Sequence, residues 1–495
     1  MKKLNFISAL FSLFVVLTAC SKNDVPQEPK TDKINPVSEF CYKGMSLFYK
    51  WNDQMLEKNP RIEDSDPVKY FRSLLFEYKK IDKWSYITDN AGEWKKILEG
   101  DPVAFGYDIH GYADNSKAWV NINYVFPDSP AAKAGLKRGD VVVKVDGAIL
   151  NNDNYRKLFG KESISIEVIK KDTGKATTVS ITPERIHTNP VLVSKVIEQG
   201  GKKIGYLFYT DFIHEFNGKL HEAFMYFKQQ QITDLVIDLR YNHGGSLTSA
   251  LYIASMLIRK DLVEKKPVFS RMDYNHILNK IYDDKALKEG VNYRENKLGQ
   301  IYKDQPDPLS ANLNLNKVHI IATESSFSAS ELLTYCLRDF IKVVHVGTPT
   351  GGKYAASWTL HAYDKSLGLP VYEGEGKDLT SEQRAALKNW AMQPIVSVYS
   401  NSKGISFDKI GGNLKPDIEV EPQEEDASNW VELGNPKDYL LSVAINDILG
   451  KPRLRSGVMT KNDFKVKKMD YKPQALLLKE NAVILNDVVD QVTRK

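Results

Sequence analysis

Between Lys203 and Gly347 apolar runs of strand length alternate with amphipathic runs of helix length, and this alternation leaves few folds open. "KIGYLFYTDF" reads as a strand, "LHEAFMYFKQQQ" as a helix, "TDLVIDLR" as a buried strand and "LTSALYIASMLI" as a second helix. "KVHIIAT", "ELLTYCLRDF" and "KVVHVG" then continue as strand, helix and strand. Strands joined through helices lie parallel, and strands apolar throughout are covered on both faces. The expectation is an α/β domain over residues 186–452. Asn435, Pro436 and Gly450 bracket "KDYLLSVAINDIL" as one more capped helix. Residues 260–316 are polar and less regular and read as an insertion, residues 453–495 form a tail without a clear pattern, and no internal repeat is visible.

At 495 residues the chain exceeds one ordinary domain, so two or three folded units are expected. Its formal charge of +5 is scattered, with no basic stripe interleaved with aromatics, which argues against a nucleic-acid partner. Residues 38–97 carry aromatic-rich text at helical spacing, with Asp66 and Pro67 as cap and first turn, and read as a small N-terminal helical domain. Ahead of it, "MKKLNFISALFSLFVVLTAC" has the two lysines and short apolar run of a signal peptide over residues 1–19. That run falls short of the roughly 20 residues a membrane span needs. Residues 20–37 are polar and Pro-rich and read as a flexible tether. Cys41 and Cys336 are either two buried thiols or one disulfide.

The stretch "FPDSPAAKAGLKRGDVVVKVDGAIL" parses residue by residue. Asp128 or Ser129 caps a short helix, Pro130 fills its first turn and Gly135 ends it, after which "VVVKV" is a strand and Asp146-Gly147 a tight turn. The order of these pieces resembles a PDZ domain of the bacterial-protease kind over residues 98–185. The resemblance implies a carboxylate-binding loop at Phe105, Gly106 and Tyr107 that receives a peptide C-terminus. "LTAC" resembles the lipobox of bacterial lipoproteins, which implies lipidation of Cys20, attachment to a membrane through that lipid, and residence in the cell envelope.

"ESSFSASE", Glu324 to Glu331, follows the strand "VHIIAT" directly. Ser328 and Glu331 have the spacing of a capping box, which needs no chemistry to explain it. A helix start also favours developing negative charge on that hydroxyl. Beyond the next strand comes "TGGK", whose lysine is Lys353. The serine cluster, "TGGK", "DLRYNHGG" upstream and the PDZ-like segment, in this order over residues 98–450, resemble the carboxy-terminal processing, or tail-specific, serine peptidases. That resemblance implies a multidomain α/β protein with a crotonase-like protease core. It further implies Ser328 as nucleophile, Lys353 as general base, Glu331 in the active-site region, and the backbone N–H groups of Ala329 and Gly244 as the oxyanion hole. The activity implied is cleavage of protein substrates with flexible C-termini through an acyl-enzyme, without a cofactor. Burial would supply the neutral amine such a base needs.

Two positions depart from the family pattern: Ser357 stands where an orienting glutamine is common, and His243 precedes the Gly-Gly turn where proline is frequent. Two rivals follow from them, a peptide-binding receptor or adaptor that keeps the fold without cutting, and a tricorn-like peptidase with a histidine base. No metal is expected, since His214 and His221 are seven apart rather than at the spacing of H-E-x-x-H.

Overall fold

The computed structural model describes residues 33–114, 117–151, 153–420 and 426–451, with two short strands at 467–468 and 476–477. The leader, Cys20 and most of the tether lie outside the described residues, as does most of the C-terminal tail. Among the described residues no helix is long and apolar enough to cross a membrane.

The centre is a six-stranded sheet in the order Val191–Gln199, Lys202–Tyr209, Asp234–Asp238, Lys317–Ala322, Lys342–Gly347, Ile418–Glu419. The first pair is an antiparallel hairpin and every later pair is parallel. Each strand alternates its side chains between two cores, as the pleat requires. Leu235, Ile237, Ile320 and Val343 face one core with the helices Asn217–Gln229, Leu247–Leu257 and Ala329–Leu337. Val236, Ile321, Val344 and Val346 face the other, closed by Leu441, Ala444 and Ile445 of the helix Tyr439–Ile448. Because the strands are parallel, the turns after Asp238, Ala322 and Gly347 emerge at one edge of the sheet, where ligand sites of α/β folds gather. The turns "RYNHGG", "TESSFSAS" and "TPTGGK" are therefore neighbours.

The PDZ-like segment has its own core of Ile109, Val120, Ile122, Leu136, Val142, Ile166 and Val168. Its strands Tyr107–Ala113, Ala118–Val125, Val141–Val145, Ile164–Ile169 and Ala176–Ile181 form one antiparallel sheet. Ser129 caps the short helix Pro130–Lys133 through the Ala132 N–H. The strand Lys467–Lys468 adds antiparallel to the outer edge of Tyr107–Ala113.

The N-terminal segment contains the helices Pro36–Phe48, Pro67–Leu74 and Ala91–Leu98. Asp66 caps the second by accepting the Val68 and Lys69 N–H groups. The first is shorter than its aromatic text suggests: after Phe48 the Lys50 N–H bonds the Ile395 carbonyl at 2.8 Å, so a tertiary bond replaces the next helical turn. The core residues Phe40, Cys41, Met45 and Phe48 share one cluster with Leu251, Ala356 and Trp358 of the α/β region. Cys41 and Cys336 are buried and free, which settles their pairing in favour of two thiols. Residues 260–316 are more regular than their polarity implies, because the strand Val268–Asp273 joins Ile395–Asn401 and is followed by the helix His276–Glu289.

Candidate active site

Ser328 sits where the strand Lys317–Ala322 turns into the helix Ala329–Leu337, with φ 57° and ψ −109°. A positive φ at a non-glycine residue costs on the order of 1–3 kcal/mol and persists only when its surroundings impose it. Here they do. Asn242, in the turn after Asp234–Asp238, accepts the Phe327 N–H on its carbonyl at 3.1 Å and the Ser330 hydroxyl at 3.0 Å. Its side chain in turn donates to the Tyr209 carbonyl at 2.9 Å.

The capping-box pair is in place, and its firm arm is the Ser328 N–H donated to Glu331 Oε2 at 2.9 Å. The serine's own arm is loose. Its Oγ is buried and completes no hydrogen bond, neither to the helix nor to Lys353 or His243. A buried hydroxyl without a partner costs about 1–3 kcal/mol.

Glu331 binds the two arms of the site together. Besides the Ser328 N–H, its carboxylate accepts the Thr350 hydroxyl at 2.5 Å, the Gly352 N–H at 2.7 Å and the Lys353 N–H at 2.8 Å. The serine turn and the lysine loop thus hang on one side chain. Burial pushes the Glu331 carboxyl up and these donors pull against it, leaving it at about 7.

Lys353 is wholly buried, and desolvation lowers its amine to about 7 against the opposing charges of Asp82 and Glu331. At neutral pH a large share of the amine is free to accept a proton. Ser357, four residues on, is also fully buried and lies on the strand Ala355–Ser357. His243 stacks on Phe327 with centroids 5.9 Å apart.

Gly244 lies against the serine: a Cβ there would fall 2.7 Å from Ser328 Cβ and 3.0 Å from the Ala329 nitrogen. Only glycine fits. Its N–H, however, donates to Asn242 Oδ1 at 2.8 Å, so in this conformation it is turned to the protein. Ala329 is the first helical residue, a position whose N–H has no acceptor within the helix.

The PDZ-like segment touches this site directly. His110 Nε2 lies 3.4 Å from Ser325 Oγ, and Arg138 reaches Tyr241 Oη at 3.3 Å, next to the Gly-Gly turn. Phe105, Gly106 and Tyr107 are set apart from the serine turn, packed on the helix Pro130–Lys133. The Phe105 carbonyl accepts the Ala131 N–H at 2.9 Å, Tyr107 Oη donates to the Leu158 carbonyl at 2.9 Å, and a Cβ at Gly106 would strike Ser129 Cβ at 2.1 Å.

Sequence spacing did not point to Asn242, Thr350 or Trp84. Asn242 lies inside "DLRYNHGG", where a turn residue of this type carries no signal of its own. Trp84 carries no local signal, because it joins the site only through the tertiary fold.

Comparison with known proteins agrees with this geometry. The model for peptidase family S41 matches residues 203–420, and that for a PDZ domain matches residues 122–150. A Staphylococcus haemolyticus protein described as a CtpA-like serine protease is 29% identical over 333 residues, covering 66% of this chain and 58% of that protein. A Staphylococcus aureus protein of the same description is 25% identical over 379 residues, covering 74% of this chain and 68% of its own length. The chain thus spans less than two thirds of the first of these relatives. A solved S41 protease structure from Bacteroides fragilis shares the fold, with a TM-score of 0.60 at 22% identity over 83% of this chain and 97% of that one. The family's region thus covers the central sheet and its three turns, with the PDZ match ahead of it, and over that region the chain is similar to peptidase family S41.

Proposed function

We propose that the protein is a serine endopeptidase working through Ser328 and Lys353. The neutral Lys353 amine takes the Ser328 proton as Oγ bonds to a peptide carbonyl carbon. The oxyanion is met by the Ala329 N–H, and by the Gly244 N–H once that group exchanges Asn242 for substrate. Lys353 returns the proton to the departing amine, and water then resolves the acyl-enzyme with the same lysine as base. Glu331 holds serine and lysine in register, and Ser357 orients the lysine from its own strand. The PDZ domain receives the free C-terminus of a flexible protein at Phe105, Gly106 and Tyr107 and feeds the chain toward the serine. A lipid on Cys20 holds the enzyme in the cell envelope.

The observation that carries this reading is a wholly buried lysine, lowered to about 7, joined through one glutamate to a buried serine whose hydroxyl has no partner. One feature favours the adaptor reading instead. Ser328 has no exposed surface and Gly244 is engaged with Asn242, so this conformation is closed to substrate. Incubating an unstructured test protein with native and Ser328→Ala enzyme, followed by mass spectrometry, separates the two. Cleavage by the native form alone supports the peptidase. Binding without cleavage by either form supports the adaptor.

A further inference from the structure

The lysine is not enclosed by the catalytic region alone. Trp84, from the N-terminal segment, places its ring 5.2 Å from Lys353 Nζ. The same ring meets Phe327 edge-on, with centroids 5.6 Å apart at 67°. Phe327 precedes Ser328, and its ring fills the space at Gly351, where a Cβ would fall 1.9 Å away. One indole therefore touches the lysine and braces the serine turn. It is half-buried, while the amine beneath it has no exposed surface, so the ring forms part of the wall between that amine and solvent.

The wall is fixed from behind. Asp82, fully buried, accepts the Trp84 and Ser85 N–H groups on Oδ1 at 3.0 and 2.9 Å. Its Oδ2 accepts the Tyr49 hydroxyl at 2.7 Å and the Ser85 hydroxyl at 2.6 Å. Ser85 Oγ accepts the Ile395 N–H at 3.0 Å, and the strand Tyr86–Thr88 pairs with Ala391–Gln393. A loop tied down at this many points holds its tryptophan in one place. It also carries charge toward the site: Asp82 from this loop and Glu331 from the helix Ala329–Leu337 both act on Lys353.

We propose that Trp84 is a positioning residue for Lys353, supplied by the N-terminal segment, and that its ring, fixed by Asp82, holds the amine dry and aimed at the serine turn. The proposal rests on the Ser–Lys reading of the site. Its two parts act in opposite directions. Removing the ring gives up its attraction for the ammonium but admits water, which stabilises the ammonium more strongly and raises the pH at which Lys353 loses its proton. Removing the Asp82 charge takes away a partner of the ammonium and lowers that pH. Phenylalanine at position 84 keeps most of the wall. A purely structural role for the loop would weaken folding without moving the lysine's titration in opposite senses.

The test uses the full chain as native, Trp84→Ala, Trp84→Phe and Asp82→Asn forms. The pH dependence of Lys353 acylation by acetic anhydride is read by mass spectrometry, beside the pH profile of kcat/KM. We expect the Lys353 midpoint to rise by about one pH unit in Trp84→Ala, to move little in Trp84→Phe and to fall in Asp82→Asn, with the acid limb of kcat/KM following. Unmoved midpoints, or shifts of the same sign in Trp84→Ala and Asp82→Asn, overturn the proposal. If Trp84→Ala does not fold, the Phe and Asn variants still decide it. Labelling needs no proteolysis, so opposite shifts in a protein that cuts nothing would support the lysine's positioning while removing the Ser–Lys peptidase. Cleavage that depends on Lys353, with unmoved midpoints, would do the reverse.

Discussion

Two cations are wholly buried beside the same set of turns, and they have opposite fates. The Arg240 guanidinium lies between Asp238 and Asp438, with contacts of 2.7 and 2.6 Å from Nη2, and Tyr206 Oη donates to Asp238 at 2.8 Å. Its carboxylate partners keep it charged, well above the ordinary arginine value. Lys353 is equally buried, but there desolvation outweighs the pull of Asp82 and Glu331 and brings the amine down to about 7. Burial alone therefore does not set the charge state. The carboxylates differ as well: those of Asp238 and Asp438 bond Arg240 directly, while Glu331 accepts from three backbone N–H groups and Thr350. Arg240 is a permanent strut between the strand Asp234–Asp238 and the helix that Asp438 caps, whereas Lys353 is the base of the mechanism proposed above.

The largest effect expected from this contrast is on activity. Lys353→Met should lower kcat/KM by roughly 10²- to 10⁴-fold, the usual contribution of a positioned base. In urea melts the same variant should hold or gain stability, because it no longer has to bury an amine. A Lys353→Met protein that unfolds readily would place the lysine with Arg240, among the struts.

Arg240→Met should do the opposite to stability. It leaves Asp238 without its cation and Asp438 with only the longer 3.8 Å contact to Arg138, and a broken buried pair costs about 3–5 kcal/mol. Urea denaturation measures this loss, and an unchanged midpoint would mean the strut bears little.

The pH dependence is the finest discriminator. Below about 7 Lys353 takes up a proton, so kcat/KM should fall about tenfold per unit as pH drops and level off above that value. Stability follows the same group. Its folded value lies below the roughly 10.4 of an unfolded lysine, so between those limits the unfolded chain binds more protons and stability rises with pH. Lys353→Met should flatten that rise, and Arg240, charged throughout, should contribute no slope there.

Much of this contrast could be read from the chain. The strand and helix periodicity placed the three turns at one sheet edge, and the spacing from Ser328 to Lys353 spans one helix and one strand of that sheet. Asp66 and Ser129 cap where their sequences indicate, because capping is local. Trp84 was illegible for the converse reason: its partners Phe327 and Lys353 lie hundreds of residues away, as does Ile395, which bonds the neighbouring Ser85. The strand Ile395–Asn401 escaped notice as well. Its alternation is too short to stand out, and its neighbours Val268–Asp273 and Ala355–Ser357 come from distant text. That Gly244 would spend its N–H on Asn242 follows from a side-chain rotamer, which no spacing encodes.

The bond from Ile395 to Ser85 spans 310 residues, and it has a consequence for the order in which the molecule is made. A ribosome releases Trp84 and Asp82 early and Lys353 late, and residues 391–395, which anchor the loop beside the lysine, later still. Until they emerge the amine keeps water around it and stays an ordinary ammonium. Burial of that amine is therefore expected only near the end of synthesis. A nascent chain arrested before residue 391 should show Lys353 titrating in the usual lysine range, and the released full-length protein should not.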